Sequence, residues 1–200
     1  MNPLLLDLPT EFTSERLRLR CYHTDDSSMY FQMLRTNREH LYEFLPASLM
    51  AVQSEPAAEA VIRRLMADWN ARNLFIFGVW EKESGLYVGE SYLANPDWEV
   101  PRIEVGYFIV QASTGKGYAT EAARATVRFA FEHLGVVRVE LQCAADNQAS
   151  LRVAEHCGFV FEGRFRQRHR KKSGYLVDML WYGLLLSEWQ HSRTSQGTDP

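Results

Sequence analysis

Between Glu15 and Cys21 the apolar Leu17, Leu19 and Cys21 alternate with Arg16, Arg18 and Arg20, the period of two expected of a strand with one wet face. Thr24, Asp25 and Asp26 then offer N-cap chemistry for a helix carrying Met29, Met33 and Leu34. Helical character continues from Asn37 to Leu45, where Pro46 ends it. From Glu55 to Arg72, Ala58, Val61, Ile62, Leu65, Met66 and Trp69 recur at helical spacing and predict a long helix. Three strands follow, Leu74 to Trp80, Leu86 to Ala94 and Arg102 to Val110, parted by Glu83-Ser84-Gly85 and Asn95-Pro96-Asp97. A helix with Ala119, Ala122, Ala123, Thr126, Val127, Ala130, Phe131 and Leu134 on one face stops at Gly135. Val136 to Cys143 reads as a strand and Asn147 to Cys157 as a short helix closed by Gly158. Phe159 to Arg166 and Tyr175 to Leu186 are extended.

Short turns imply antiparallel hairpins, whereas the strand-helix-strand unit through residues 102 to 143 needs a crossover and hence parallel neighbours. The expected class is α+β: one domain, with a mixed, mostly antiparallel sheet flanked by helices and one central β-α-β unit. A chain of 200 residues without internal repeats fits a single domain over residues 1–191, with a polar, loose end from Ser192 to Pro200. With 46% hydrophobic and 24% charged residues, disorder and fibrous structure are excluded and the core is ample. The longest apolar run, Met179 to Leu186, is far shorter than the roughly 18 residues of a membrane helix. Leu4 to Leu6 lack the basic flank of a secretory leader, so no membrane partner and a cytoplasmic location are expected.

Three cysteines without CxxC spacing and six histidines without i, i+4 pairing imply neither a disulfide framework nor a metal. Charge, by contrast, is segregated. Arg164, Arg166, Arg168, Arg170, Lys171 and Lys172 form a run without acids, leaving the rest at −9 against −3 for the whole chain. Such a run is commonly a solvated hairpin face; its functional alternative is attraction of an acidic protein or RNA.

The most informative stretch is Gln111 to Thr120, where a strand ends, Gly115 and Gly117 turn the chain, and a helix begins. Two glycines can simply make a tight turn. They can also let successive N–H groups converge on an anion at the positive end of the helix. A triphosphate loop needs a glycine five residues before Gly115, which is missing. A dinucleotide site draws support from Gly115-x-Gly117 between strand and helix and from Asp146 after the next strand, but it is the weaker reading, since Thr120 stands at its third glycine and its fold needs several crossover units. Coenzyme A, whose pyrophosphate needs the same amide cradle, is the phosphate ligand left.

Gly115-Lys116-Gly117-Tyr118-Ala119-Thr120, followed by DNQASLRVAEHCGF from Asp146 to Phe159, resembles the GNAT superfamily of N-acetyltransferases. SERLRLR (Ser14 to Arg20), NREHL (Asn37 to Leu41) and IEVGYFI (Ile103 to Ile109) are similar to the branch of the RimJ/RimL ribosomal-protein N-terminal acetyltransferases. The resemblance spans about residue 12 to Trp189. It implies acetyl-CoA as co-substrate, with backbone groups of Phe108, Ile109 and Val110 on the pantetheine arm. It places the pyrophosphate within Gly115, Lys116, Gly117, Tyr118, Ala119 and Thr120, and the pantetheine against Asn147. The superfamily's turn carries Arg or Gln where this chain has Thr114, so one stapling side chain is missing.

Moving an acetyl group from a thioester to an amine requires a neutral amine, a stabilised oxyanion and a proton for the leaving thiolate. A bulge or splay near Ile109 would bare an N–H for the oxyanion. The resemblance makes Ser150 the candidate acid, although Asn147 and Ser150 also read as an ordinary N-cap and first turn. Tyr118 is the fallback. Glu104, alternating with Ile103 and Val105, is the candidate base, against its reading as a solvent-facing carboxylate; Glu90 and Asp178 are weaker alternatives. Deprotonating lysine at pH 7 costs about 4.6 kcal/mol but an α-amine only about 1.1, which favours a protein N-terminus; the basic run suggests an acidic one, and the resemblance implies a ribosomal one attacking directly in a ternary complex. A small amine such as an antibiotic, polyamine or amino acid is the second acceptor class. A non-catalytic nucleic-acid or protein-binding module is the third reading. Tyr42, Phe44 and Trp98 are candidate walls of an acceptor slot, and a homodimer is an open possibility.

Overall fold

A computed structural model describes residues 2–196. Its eight-stranded sheet runs in the order β1-β2-β3-β4-β5-β6-β8-β7. These strands are β1 (Glu11–Thr13), β2 (Leu17–Arg20), β3 (Phe75–Glu81), β4 (Tyr87–Asp97), β5 (Arg102–Ile109), β6 (Arg138–Ala144), β7 (Val160–Arg170) and β8 (Leu176–Leu185). The helices are α1 (Ser27–Thr36), α2 (Ala47–Met50), α3 (Glu55–Asn70), α4 (Tyr118–His133), α5 (Gln148–His156) and α6 (Leu186–Gln196). Every neighbouring pair is antiparallel except β5 and β6, which α4 joins by the expected crossover. The class is therefore α+β with a mixed sheet in a single domain.

Strand alternation divides the core. Leu17, Leu19, Phe75, Phe77, Ile103 and Val105 pack under α4 against Phe129 and Ala130, while Tyr22, Phe108 and Val110 face Tyr30, Met33 and Ile62 of α1 and α3. Ser54 caps α3 through a hydrogen bond from Ala57 N at 3.3 Å, with Pro56 in the first turn, where a missing N–H costs nothing.

Several expectations need correction. Residues 37–45 form turns instead of a helix, because Asn37 ends α1 and folds its amide nitrogen back to Met33 O at 3.0 Å. Asn95-Pro96-Asp97 does not end its strand: β4 passes through an irregularity there, with Asn95 at φ +52°, and pairs again at Asp97 with Arg102. The short β1 and the C-terminal α6 have too little apolar periodicity to stand out. Trp189 anchors α6 on Phe131, ring centres 5.2 Å apart. The loose end expected from Ser192 is helical through Gln196, and residues 197–200 lie outside the described residues.

Candidate active site

Parallel pairing between β5 and β6 covers only Arg102–Arg138, Ile103–Val139 and Glu104–Glu140, although the strands continue to Ile109 and Ala144. The splay is the opening predicted near Ile109. Val110 N donates to Val88 O at 3.0 Å, placing the alternate residues Phe108 and Gly106 in bonding positions toward β4. Alternation therefore turns the N–H groups of Tyr107 and Ile109, past the last paired residues, toward the gap. Of the predicted backbone contacts, Ile109 offers its N–H to the gap, Phe108 contributes its side chain, and Val110 has spent its N–H on β4. His40 Nε2 donates to Ile109 O at 3.0 Å, tying the segment after α1 to the strand end. A cavity of about 710 Å³ occupies the splay, bounded by β5, β6, the start of α5, residues 40–49 and the β7–β8 hairpin.

Beyond the strand end, Gly115 and Gly117 have φ of +76° and +80°. A Cβ would meet nothing within 4 Å at Gly115 and only Arg16 Nη2, at 3.5 Å, at Gly117. Glycine is thus required by the left-handed backbone and not by crowding. Gly117 is the N-cap of α4, and Glu121 N is bonded to Gly117 O at 3.1 Å, so the preceding amides sit at the positive, open end of the helix. This geometry fits a diphosphate. The staple missing at Thr114 comes from elsewhere. Arg16 donates from Nη1 to Lys116 O (3.1 Å), pairs with Glu121 (2.7 Å) and lies 4.9 Å from the Tyr118 ring centre. Glu121 also accepts from Ser14 Oγ and Arg16 N, both at 2.7 Å.

Asn147 and Ser150 line the cavity together, and Asn147 Oδ1 accepts from Ser150 N at 3.1 Å, the ordinary N-cap of α5. Ser150 Oγ lies 3.0 Å from the hydroxyl of Tyr107, whose ionisation burial pushes far upward. Glu104 shares a strand face with Phe108 but lies outside the residues bounding the cavity. Its Oε2 accepts from Asn95 Nδ2 (3.0 Å) and Gln142 Nε2 (3.1 Å), and burial, reinforced by Glu140, raises its pKa. Glu90 does line the cavity, is 3% exposed, and is pushed up to about 7 by burial. Asp178 is committed to Arg164 and Gln167 N, which hold its carboxyl low; the Tyr118 hydroxyl is committed to Glu81.

Phe44 is at the cavity mouth, whereas Tyr42 lies under Lys172 Nζ, 4.7 Å from its ring centre, and Trp98 packs on the main core. The basic run is largely engaged. Arg164 pairs with Asp178, Lys171 with Asp146, and Lys172 bonds Glu43 Oε2 through its backbone and Leu45 O through Nζ. The Lys172 bonds strap the hairpin to residues 42–45. Tyr107 and His40, which carry much of the geometry, are in the IEVGYFI and NREHL strings but had no sequence signal of their own.

Residues 16–160 match the acetyltransferase (GNAT) domain family. A Bacillus subtilis protein provisionally named ribosomal N-acetyltransferase YdaF is 28% identical over 182 residues, covering 88% of this chain and 95% of that one. Two solved structures share the fold. RimJ of Mycobacterium smegmatis, in complex with CoA-disulfide, is 20% identical with a TM-score of 0.80 and covers 98% of both chains. Ribosomal-protein-S5-alanine acetyltransferase of Vibrio fischeri is 20% identical with a TM-score of 0.78, covering 90% of this chain and 99% of that one.

Proposed function

The chain belongs to the GNAT acetyltransferase family, and from that premise we propose that it moves the acetyl group of acetyl-CoA to the α-amine of a protein N-terminus. The observation that carries this reading is a sheet opened at β5 and β6 whose unpaired edge leads to a left-handed double-glycine turn at the start of α4. Pantetheine amides complete the edge of β5, and the amides of residues 115–120 hold the diphosphate. The thioester then lies in the cavity beside Ser150.

In the ternary complex the amine loses its proton, its nitrogen attacks the thioester carbon, and negative charge gathers on the former carbonyl oxygen. A strand N–H facing the gap, that of Ile109 or Tyr107, stabilises this charge. Collapse breaks the carbon–sulfur bond; Ser150 Oγ, backed by the Tyr107 hydroxyl, gives its proton to the departing sulfur and takes back the one that the nitrogen sheds in becoming an amide. Glu90 is the preferred base, because it borders the cavity and its pKa near 7 lets it accept a proton at neutral pH. Glu104 is the second candidate.

An α-amine loses its proton far more readily than lysine, so one buried carboxylate suffices. The ribosomal name of YdaF supports the same acceptor class. Incubation with acetyl-CoA, a panel of N-terminal peptides, lysine peptides and polyamines, and detection of free thiol provides the test. Thiol release with unblocked peptides and none with N-blocked versions is expected; turnover of polyamines alone would overturn the acceptor assignment.

A further inference from the structure

Glu90 is deep in the sheet, and no cation among the described residues pairs with its carboxylate; the one group offsetting its burial is a neutral hydroxyl. Tyr22 O–H donates to Glu90 Oε2 at 2.9 Å, and Tyr87 O–H lies 2.8 Å from Tyr22 O. A hydroxyl has one proton, so with Tyr22 donating to the carboxylate, Tyr87 donates to Tyr22.

The Tyr22 ring is held edge-on by Tyr30 at 5.1 Å and by Trp80 at 6.1 Å, and Tyr87 is edge-on to Trp80 at 5.5 Å. Trp80 is covered by the Arg20 guanidinium, 3.9 Å from the ring centre, and Asp26 neutralises that guanidinium through two bonds of 2.7 Å. This box has few ways to relax, so the donor stays aimed at the carboxylate.

We propose that Tyr22, with Tyr87 behind it, is a positioning residue that keeps Glu90 able to ionise in its apolar surroundings and so sets the pH at which the enzyme takes the acceptor's proton. The inference rests on Glu90 as base. The groups around that carboxylate are Tyr22 after β2, Tyr30 of α1, Tyr87 and Tyr92 of β4, and the neutral Phe108 of β5, with His40 and Glu43 bounding the same cavity. In the catalytic step the proton leaves the amine nitrogen for Glu90, while the Tyr22 O–H bond stays intact. A hydroxyl donating to a carboxylate favours the anion, so its loss raises the carboxyl's pKa.

The test combines Tyr22→Phe, Tyr87→Phe and Glu90→Gln, each in the full chain. The readouts are the pH profile of kcat/KM and the titration of the Glu90 carboxyl followed by carbon-13 NMR, with Glu90→Gln assigning the signal. In Tyr22→Phe, both the NMR midpoint and the acid limb of the profile move up by about one pH unit or more. At pH 6 the rate falls roughly tenfold, and it recovers toward wild type in alkali. Tyr87→Phe moves both in the same direction by less and serves if Tyr22→Phe does not fold. An unmoved NMR midpoint in the folded variants overturns the proposal. A shifted midpoint with full activity and an unchanged acid limb in Glu90→Gln leaves the tuning intact but removes Glu90 as the base.

Discussion

Replacing Glu121 by alanine should cost about 2–3 kcal/mol of stability, more than its place on a helix surface suggests. The carboxylate, 14% exposed, accepts from Ser14 Oγ and from the backbone and side chain of Arg16, and lies in the first turn of α4, where negative charge is favoured. Truncation strands a backbone N–H and a hydroxyl. Arg16→Ala keeps both of those bonds and removes only a guanidinium that is 47% exposed, worth about 1 kcal/mol or less in water. Urea denaturation at pH 7 should therefore rank Glu121→Ala well below Arg16→Ala, with unchanged m. Burial raises the Glu121 carboxyl, but the Arg16 and Ser14 bonds outweigh it and hold the group below its ordinary 4.5. A depressed folded-state pKa means that the contribution is present above that value and lost as pH falls through the folded one. The gap between wild type and Glu121→Ala should thus narrow in acid below pH 4.5. Equal losses for both variants, or a gap that persists at low pH, would refute the reasoning.

Gly117→Ala should cost about 1–2 kcal/mol from its left-handed backbone alone and weaken coenzyme A measurably by calorimetry, while full affinity would show that the turn does not bear the diphosphate. Ser150→Ala should lower kcat about tenfold or more with little change in coenzyme affinity; if kcat holds, Ser150 is only part of the cap. Neutralising Arg166 and Arg168 should flatten the salt dependence of acceptor KM if the hairpin steers an acidic peptide, and unchanged dependence would reject steering.

The glycine turn was legible because positive φ has a residue signature, and the β-α-β crossover because a helix between two strands dictates direction. The splay was legible only as a need of the chemistry, since it is an absence of pairing between strands of ordinary composition. Glu104 and Glu90 differ by depth along two adjacent strands, which alternation does not encode; it reports the face and nothing more. Arg16 illustrates the same limit. A hundred residues separate it from Lys116, so the replacement for the missing side chain at Thr114 came from a strand read only as amphipathic. Residues 37–45 misled because their composition favours helix, while Asn37 uses its side chain on Met33 O and Gln111 N. Tertiary bonds decided that segment.

Sheets ordinarily leave unused bonding capacity along their two outer rims, where any extended polypeptide can attach itself. The divergence of β5 from β6 adds a second pair of rims inside the molecule, out of reach of bulky chains. A slender guest carrying its own amides can thread there, so the gap selects by cross-section before any side chain takes part. Such a guest would also act as a seam between the five strands on one side and the three on the other, making the two halves melt as one.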